Sequence, residues 1–201
     1  YEASFDIDYL EWAVALQNKQ NELFWDEVVG GYYNTSGQDD SVLFRQKEGY
    51  DGAEPSPNSI SVMNLQRLAQ MTGNETFKQH ADKTLAAFSK SLKQAPHGMP
   101  QMLAAFDFHL DKPMQIIIAG KPGATDTRSM LTAVHNRFLP NKIVLLADGA
   151  EGQKTLGGYV PFFSDIVMID GKATAYICEN YACKLPTHDV DVVAKLLSGD
   201  S

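Results

Sequence analysis

Asp51 and Glu54 stand three residues apart in the polar run Gly49-Tyr50-Asp51-Gly52-Ala53-Glu54-Pro55-Ser56-Pro57-Asn58-Ser59. Two carboxylates flanking a bond are the groups that move protons in sugar chemistry, and single carboxylates hold sugar hydroxyls. These two are therefore the candidate catalytic acids. Trp25, Tyr32, Tyr33 and Tyr50 occur in or beside the same loops. Aromatic faces stack on sugar rings, so these four, with Asn58, are the candidate substrate contacts. Each has a plainer reading. Carboxylates also cap helix N-termini or pair with cations such as Arg45 and Lys47, and aromatic rings also fill cores. Asn64, inside the apolar helix that follows, reads as part of a buried amide network.

Other constellations carry less. Cys178, Cys183 and His188 follow the pattern C-x4-C-x4-H. A zinc site takes four ligands with closer Cys spacing, and the C-x-x-C redox spacing is absent, so buried or unpaired thiols are expected, with no metal and no cofactor. Gly120-Lys121-Pro122-Gly123-Ala124-Thr125 joins a strand to a helix, where anions can bind, but it matches neither the P-loop nor the dinucleotide pattern and reads as a tight loop. His80, His97, His109 and His135 are scattered without a carboxylate or nucleophile beside them, and no Gly-x-Ser-x-Gly elbow occurs.

These residues need elements to position them. Apolar spacing predicts a helix over residues 5–24 with Tyr9, Trp12, Leu16 and Leu23 on one stripe. Tyr32-Tyr33 and Val42-Leu43-Phe44 read as a short hairpin. Ser56 can cap the next helix, with Pro57 in its first turn. That helix carries two stripes, Ile60, Met63 and Leu68 beside Val62, Leu65 and Ala69, and ends at Thr72-Gly73-Asn74. A helix over 75–93 shows Phe77, Ala81, Leu85, Phe88 and Leu92, and one over 100–109 is expected to bury Met102, Leu103 and Phe106.

The pattern changes at Asp111-Lys112-Pro113. Apolar runs 115–119 and 142–147 flank a helix with Met130, Leu131, Val134 and Phe138 on one face, which is a βαβ unit with parallel strands. Strands over 166–169 and 174–178 turn at Asp170-Gly171, and a helix over 189–197 closes the chain. The fold class is mixed α and β, with helical hairpins over residues 1–110 and a small α/β unit with a βαβ crossover over 111–201.

The chain has 201 residues and a net charge of −8. That charge argues against nucleic acid and anionic membrane surfaces as partners, and no apolar run is long enough to span a bilayer. Two cysteines fit a reducing compartment, so a cytoplasmic location is expected. Tyr1 rather than Met begins the chain, which suggests a fragment or a processed protein.

Phe24-Trp25-Asp26, Gly30-Gly31-Tyr32-Tyr33, residues 47–59, Met63-Asn64-Leu65, residues 115–120, Phe138-Leu139-Pro140-Asn141-Lys142 and residues 170–187 carry a resemblance that covers nearly the whole chain. They resemble the C-terminal third of the YyaL family, also called the spermatogenesis-associated protein 20 family. The most specific segments are Asp51-Gly52-Ala53-Glu54-Pro55-Ser56 and Gly171-Lys172-Ala173-Thr174-Ala175-Tyr176; Pro57 stands where the family usually has Gly. The resemblance implies a thioredoxin-like domain followed by an (α/α) barrel like those of N-acylglucosamine 2-epimerase and six-hairpin glycosidases. Residues 1–110 would then be the terminal hairpins of a partial barrel, completed by the missing N-terminal part of the same protein or by another chain. The implied function is a cavity that binds a saccharide, with epimerase, isomerase or glycosidase-like chemistry if it is an enzyme, and no turnover by this segment alone. The alternatives are a non-catalytic scaffold or interaction module associated with thioredoxin-like redox function in full-length relatives, and a thiol-dependent role through Cys178 and Cys183.

Overall fold

A computed structural model describes residues 1–111, 113–179 and 182–198. Lys112, in the expected boundary, and Asn180 and Tyr181, within the 170–187 segment, lie outside the described residues. The chain divides into two compact units, Leu10–Asp111 and Tyr1–Tyr9 with Lys112–Ser201. Helices and a small sheet together make a mixed α and β architecture.

In the helical unit, α2 (Pro57–Thr72) starts where the local chemistry says it should. The Ser56 side chain accepts from Ser59 N, and Pro57 occupies the first turn, where a missing N–H leaves no orphan. Gly73 ends the helix in the left-handed conformation, φ 64°, with its N–H on Ala69 O. Asn74 then caps α3 (Glu75–Gln94) by accepting from Thr76 N and Phe77 N. So tight a link makes α2 and α3 antiparallel neighbours. Val62, Leu65, Leu68 and Ala69 of α2 are buried, as are Phe77, Ala81 and Leu85 of α3. Both α2 and α3 also contact α4 (Pro100–Leu110).

Four expectations for this unit change. Asn64, expected in a buried amide network, is exposed on α2. Helix α4 buries Met102, Ala105 and Phe108, whereas Leu103 is exposed and Phe106 half-buried. Small Ala105 is fully buried at a spacing of three from Met102 and Phe108, a position that counting large apolar residues misses. In α1 (Ile7–Phe24) the stripe of Tyr9, Trp12 and Leu16 is exposed, while Leu10 and Gln17 are buried. Val42-Leu43-Phe44 form no strand: the hairpin is reduced to an isolated bridge between Trp25 and Tyr32 and a single bond from Asn34 N to Gln46 O. The Arg45 guanidinium occupies the Thr35 carbonyl there, which a ladder would otherwise use.

The second unit is built on a sheet of order β2-β1-β3-β4. Strands β1 (Met114–Ala119) and β2 (Lys142–Ala147) are parallel and in full register, joined through α5 (Thr125–His135). Strand β3 (Thr174–Glu179) pairs antiparallel with β1, and the two-residue β4 (Ala182–Cys183) with β3. Residues 166–168 are not a strand; only Ile169 bridges, to Lys172. Ile116, Ile118, Val144, Leu146, Ala175 and Ile177 share one core with Met130 and Val134 of α5 and with Val193 and Leu197 of α7 (Val190–Ser198). Alternation sends Ile117, Ile143 and Leu145 to the other face, and α6 (Glu151–Tyr159), which sequence periodicity did not reveal, contacts β2. Phe138 lies beyond α5 and is 93% exposed rather than on its buried face.

The outer edge of β2 is closed by side chains. Val144 N donates to Glu2 Oε1 at 2.9 Å and Leu146 N to the Tyr1 hydroxyl at 3.3 Å. Burial pushes the Tyr1 phenol up to about 12. Two edge N–H groups that could template another strand are thereby occupied.

Candidate functional site

Helix α4 begins without a side-chain cap of its own, because Met99 has no acceptor to offer. Asp51 supplies the cap from half the unit away. Its Oδ2 accepts from Gln101 N at 2.8 Å and Met102 N at 3.3 Å, and its Oδ1 accepts from Ser56 N at 2.8 Å. Its own N–H donates to Gly98 O at 2.8 Å. One buried carboxylate thus ties the 49–59 loop to the start of α4, where the helix dipole also favours negative charge. Burial by itself would raise its pKa; the bonds from Ser56, Ser59, Gln101 and Met102 outweigh that and hold it below the usual carboxylate range. A carboxylate so engaged is a poor proton donor at neutral pH.

Asn58 is fully buried and also engaged with backbone. Its Oδ1 accepts from Tyr32 N at 2.7 Å, and its Nδ2 donates to Tyr32 O at 2.9 Å and Glu48 O at 2.8 Å. The amide reproduces a strand-like pairing with Tyr32 and anchors the 49–59 loop to it. Tyr32 itself is buried; its hydroxyl donates to Asn21 Oδ1 at 2.6 Å and accepts from Gln17 Nε2 at 3.3 Å. Burial raises its pKa. Trp25 is buried too, stacked on His80 with ring centroids 3.8 Å apart and against Tyr32 at 5.2 Å. Among the described residues the Trp25 indole N–H and His80 Nδ1 have no hydrogen-bond partner.

Tyr33 belongs to a second polar knot, which sequence reasoning missed. Asp26 Oδ2 accepts from Lys47 Nζ at 2.7 Å and from the Tyr33 hydroxyl at 2.8 Å, while Oδ1 accepts from Val28 N and Val29 N. Lys47 Nζ also donates to Gly30 O, and the Arg45 guanidinium lies 4.1 Å from the Tyr33 ring centroid. The Lys47 ammonium, followed by burial acting in the opposite sense and the other hydrogen bonds, leaves the Asp26 carboxyl well below the ordinary range. The hydrogen bond to Asp26 raises the Tyr33 phenol. Lys47 therefore pairs with Asp26, not with Asp51 or Glu54, and Arg45 serves the Thr35 and Leu23 carbonyls. The one local signal was Asp26 two residues before Val28, the spacing of an Asx turn.

Two of the sequence-selected residues remain open to solvent. Glu54 is exposed. Tyr50 is 67% exposed, yet one flank of its ring is held: a Cβ at Gly98 would stand 3.2 Å from the ring carbons and one at Gly52 3.3 Å. Glycines at both positions let the ring lie close on the backbone. The structure thus brings Asp51, Asn58 and Tyr32 together as framework and presents Tyr50 and Glu54 on the same loop.

Among the described residues no group of three or more His, Cys, Asp or Glu is placed to hold a metal ion, and no helix is long and apolar enough to cross a membrane. Cys178 and Cys183 are bonded to each other, which overturns their reading as unpaired thiols.

No family model matches the chain. Over 198 residues, 98% of its length, the chain is 40% identical to spermatogenesis-associated protein 20 of Rattus norvegicus, and over the same span 39% identical to the proteins of that name in Homo sapiens and Mus musculus. It spans about a quarter of the length of these curated relatives, 25% in each case.

Proposed function

We propose, from the premise that this chain belongs to the spermatogenesis-associated protein 20 family over a segment a quarter of its members' length, that its 49–59 loop is a carbohydrate-contacting edge of a larger helical cavity. The observation that carries the reading is Tyr50. Its ring is exposed but already braced on Gly52 and Gly98, so stacking a sugar on it costs little further ordering. Glu54, on the same loop, offers an acceptor for hydroxyl groups. Asp51, Asn58 and Tyr32 shape the loop instead of touching ligand. With Asp51 engaged in capping, Asp51 and Glu54 do not form the pair of free carboxylates that glycoside hydrolysis uses, and the loop contributes binding. Epimerase or isomerase chemistry, if the whole protein performs it, draws its proton-transfer groups from residues other than Asp51.

The helical unit is then a set of terminal hairpins of an (α/α)-barrel-like domain. The chain's net charge of −8 argues against a nucleic-acid partner, and the Cys178–Cys183 bond removes the cysteine argument for a reducing compartment. Titration of the full-length protein with N-acetylglucosamine, mannose and cellobiose by calorimetry tests the ligand. Tyr50→Ala is expected to weaken saccharide binding roughly tenfold, in line with ~1–1.5 kcal/mol for a ring contact. Equal affinity in wild type, Tyr50→Ala and Glu54→Gln, all folded, would refute the reading.

A second reading, an interaction module, is favoured by a different observation. Trp12 and Leu16, one turn apart on α1, are 61% and 53% exposed. Paired apolar residues on a helix face are what a further helical hairpin covers. The occupant is the remainder of the family polypeptide or a second chain. Trp12→Glu is expected to abolish co-purification of this segment with the rest of the protein expressed in trans; undiminished association would remove α1 from the interface.

A further inference from the structure

We propose that Cys178 and Cys183 form a reversible dithiol–disulfide site at the edge of the sheet, entered by a dithiol reductant or a disulfide oxidant at Cys183. The two residues face each other directly across the antiparallel β3–β4 ladder, with a bond between their sulfurs. Among the described residues no cysteine is free. The inference stands apart from the saccharide reading and uses none of its residues.

Three features distinguish this bond from a permanent staple. The first is the short loop it closes, a separation of five residues, which constrains the unfolded chain far less than a long loop does. The second is asymmetric access. Cys178 is 1% exposed, packed in β3 between Gln115 of β1 and Cys183 of β4, whereas Cys183 is exposed. The third is what the bond holds. Among the described residues the β3–β4 ladder has the pairs Cys178–Cys183 and Glu179–Ala182. Beyond it, Lys184 N donates to Ile177 O, and Ala175 and Thr187 exchange both their backbone bonds. This edge leads into α7, whose Val193 and Leu197 lie in the core.

Access sets the order of the chemistry. A thiolate of the reductant attacks Cys183 Sγ, the Cys178–Cys183 bond breaks, and a mixed disulfide forms at Cys183. The electron pair leaves on Cys178 Sγ, which takes up a proton from water. The second thiolate of the reductant then attacks its own sulfur in the mixed disulfide and releases Cys183 as a thiolate, which water protonates. Two electrons pass from the dithiol, which ends as a disulfide, to the cysteine pair, which ends as two thiols. A disulfide oxidant runs the same steps backwards. Reduction removes the cross-link from an edge otherwise held, among the described residues, by a few backbone bonds and the solvent-facing Lys184–Glu179 ion pair, so the 182–187 segment loosens while the α7 core contacts stay.

The first test uses the wild-type 201-residue chain in native buffer. Air-oxidised protein is treated with N-ethylmaleimide before and after a thioredoxin-type dithiol, and the intact mass is read. The expected result is no adduct before reduction, two adducts after it, and none again after oxidised glutathione. Hydrogen exchange at the Lys184 and Thr187 amides is expected to rise at least tenfold on reduction, with the Ile118 amide unchanged. In Cys178→Ser the remaining Cys183 is expected to form a mixed disulfide with glutathione at least tenfold faster than Cys178 does in Cys183→Ser. A bond that yields only in denaturant would make it a permanent staple and overturn the proposal, as would two adducts in the air-oxidised native protein, which would mean that no bond forms.

Discussion

The strand-bearing unit and the helical unit are held together in different ways. Around the sheet, α5 and α7 contribute to one apolar cluster with β1, β2 and β3, and even the edge of β2 has its N–H groups met by Tyr1 and Glu2. The helical unit buries more polar side chains. Asp26, Asp51 and Asn58 are all buried and fully engaged with backbone or with Lys47, while Trp12 and Leu16 face solvent. The contrast shows two sources of order. A sheet of apolar runs closes by burial, which is non-directional. The loops of the helical unit are held by directional bonds from buried polar side chains, whose loss leaves orphan groups behind. The second strategy suits a unit that must keep a polar loop in shape while leaving a helix face uncovered.

Substitutions can break this contrast, beginning with the largest effect. Ile118→Ala, at the centre of β1 and fully buried, is expected to lower unfolding free energy by ~4 kcal/mol in chemical denaturation. Asp51→Ala is expected to cost ~3 kcal/mol, because Ser56 N, Gln101 N and Met102 N lose their acceptor together. Glu54→Ala on the same loop is expected to stay within about 0.5 kcal/mol. A stable Asp51→Ala variant with altered saccharide affinity would return Asp51 to the ligand site. At the small end, Leu16→Ala on the exposed face of α1 is expected to change stability by less than about 0.5 kcal/mol in this chain, and a larger loss would show that α1 is packed after all.

Acid sharpens the same comparison. Asp26 has its folded pKa lowered chiefly by Lys47, so its contribution to stability is fully present above the unfolded value near 3.9 and is lost as pH falls through the lower folded value. Wild type should therefore be more stable than Asp26→Asn at pH 7, and the gap in Tm should narrow steadily below about pH 4. A constant gap would mean that Asp26 acts through shape alone.

Much of this was legible in residue order. Ser56-Pro57 and Gly73-Asn74 mark helix ends because capping is a matter of neighbours two or three residues apart. Residues 115–119 and 142–147 read as buried strands because a strand covered on both faces is apolar throughout and needs no phase. The resemblance carried by the 51–56 and 171–176 segments led to the family without any structure. The individual roles of the loop residues were not legible. Asp51 and Glu54 look alike in sequence, and only tertiary contact separates the buried cap from the exposed acid.

Local order by itself thus determined the mixed α and β class, the parallel crossover and the capped ends of α2 and α3. Tertiary structure alone decided which face of α1 and α4 is buried, that Lys47 chooses Asp26, that Asp51 reaches the start of α4, and that Cys183 meets Cys178. The physical reason is reach. Caps and strand periods are interactions among near neighbours, whereas a buried carboxylate, an ion pair or a helix face takes its partner from wherever the folded chain brings one, and residue spacing carries no record of that meeting.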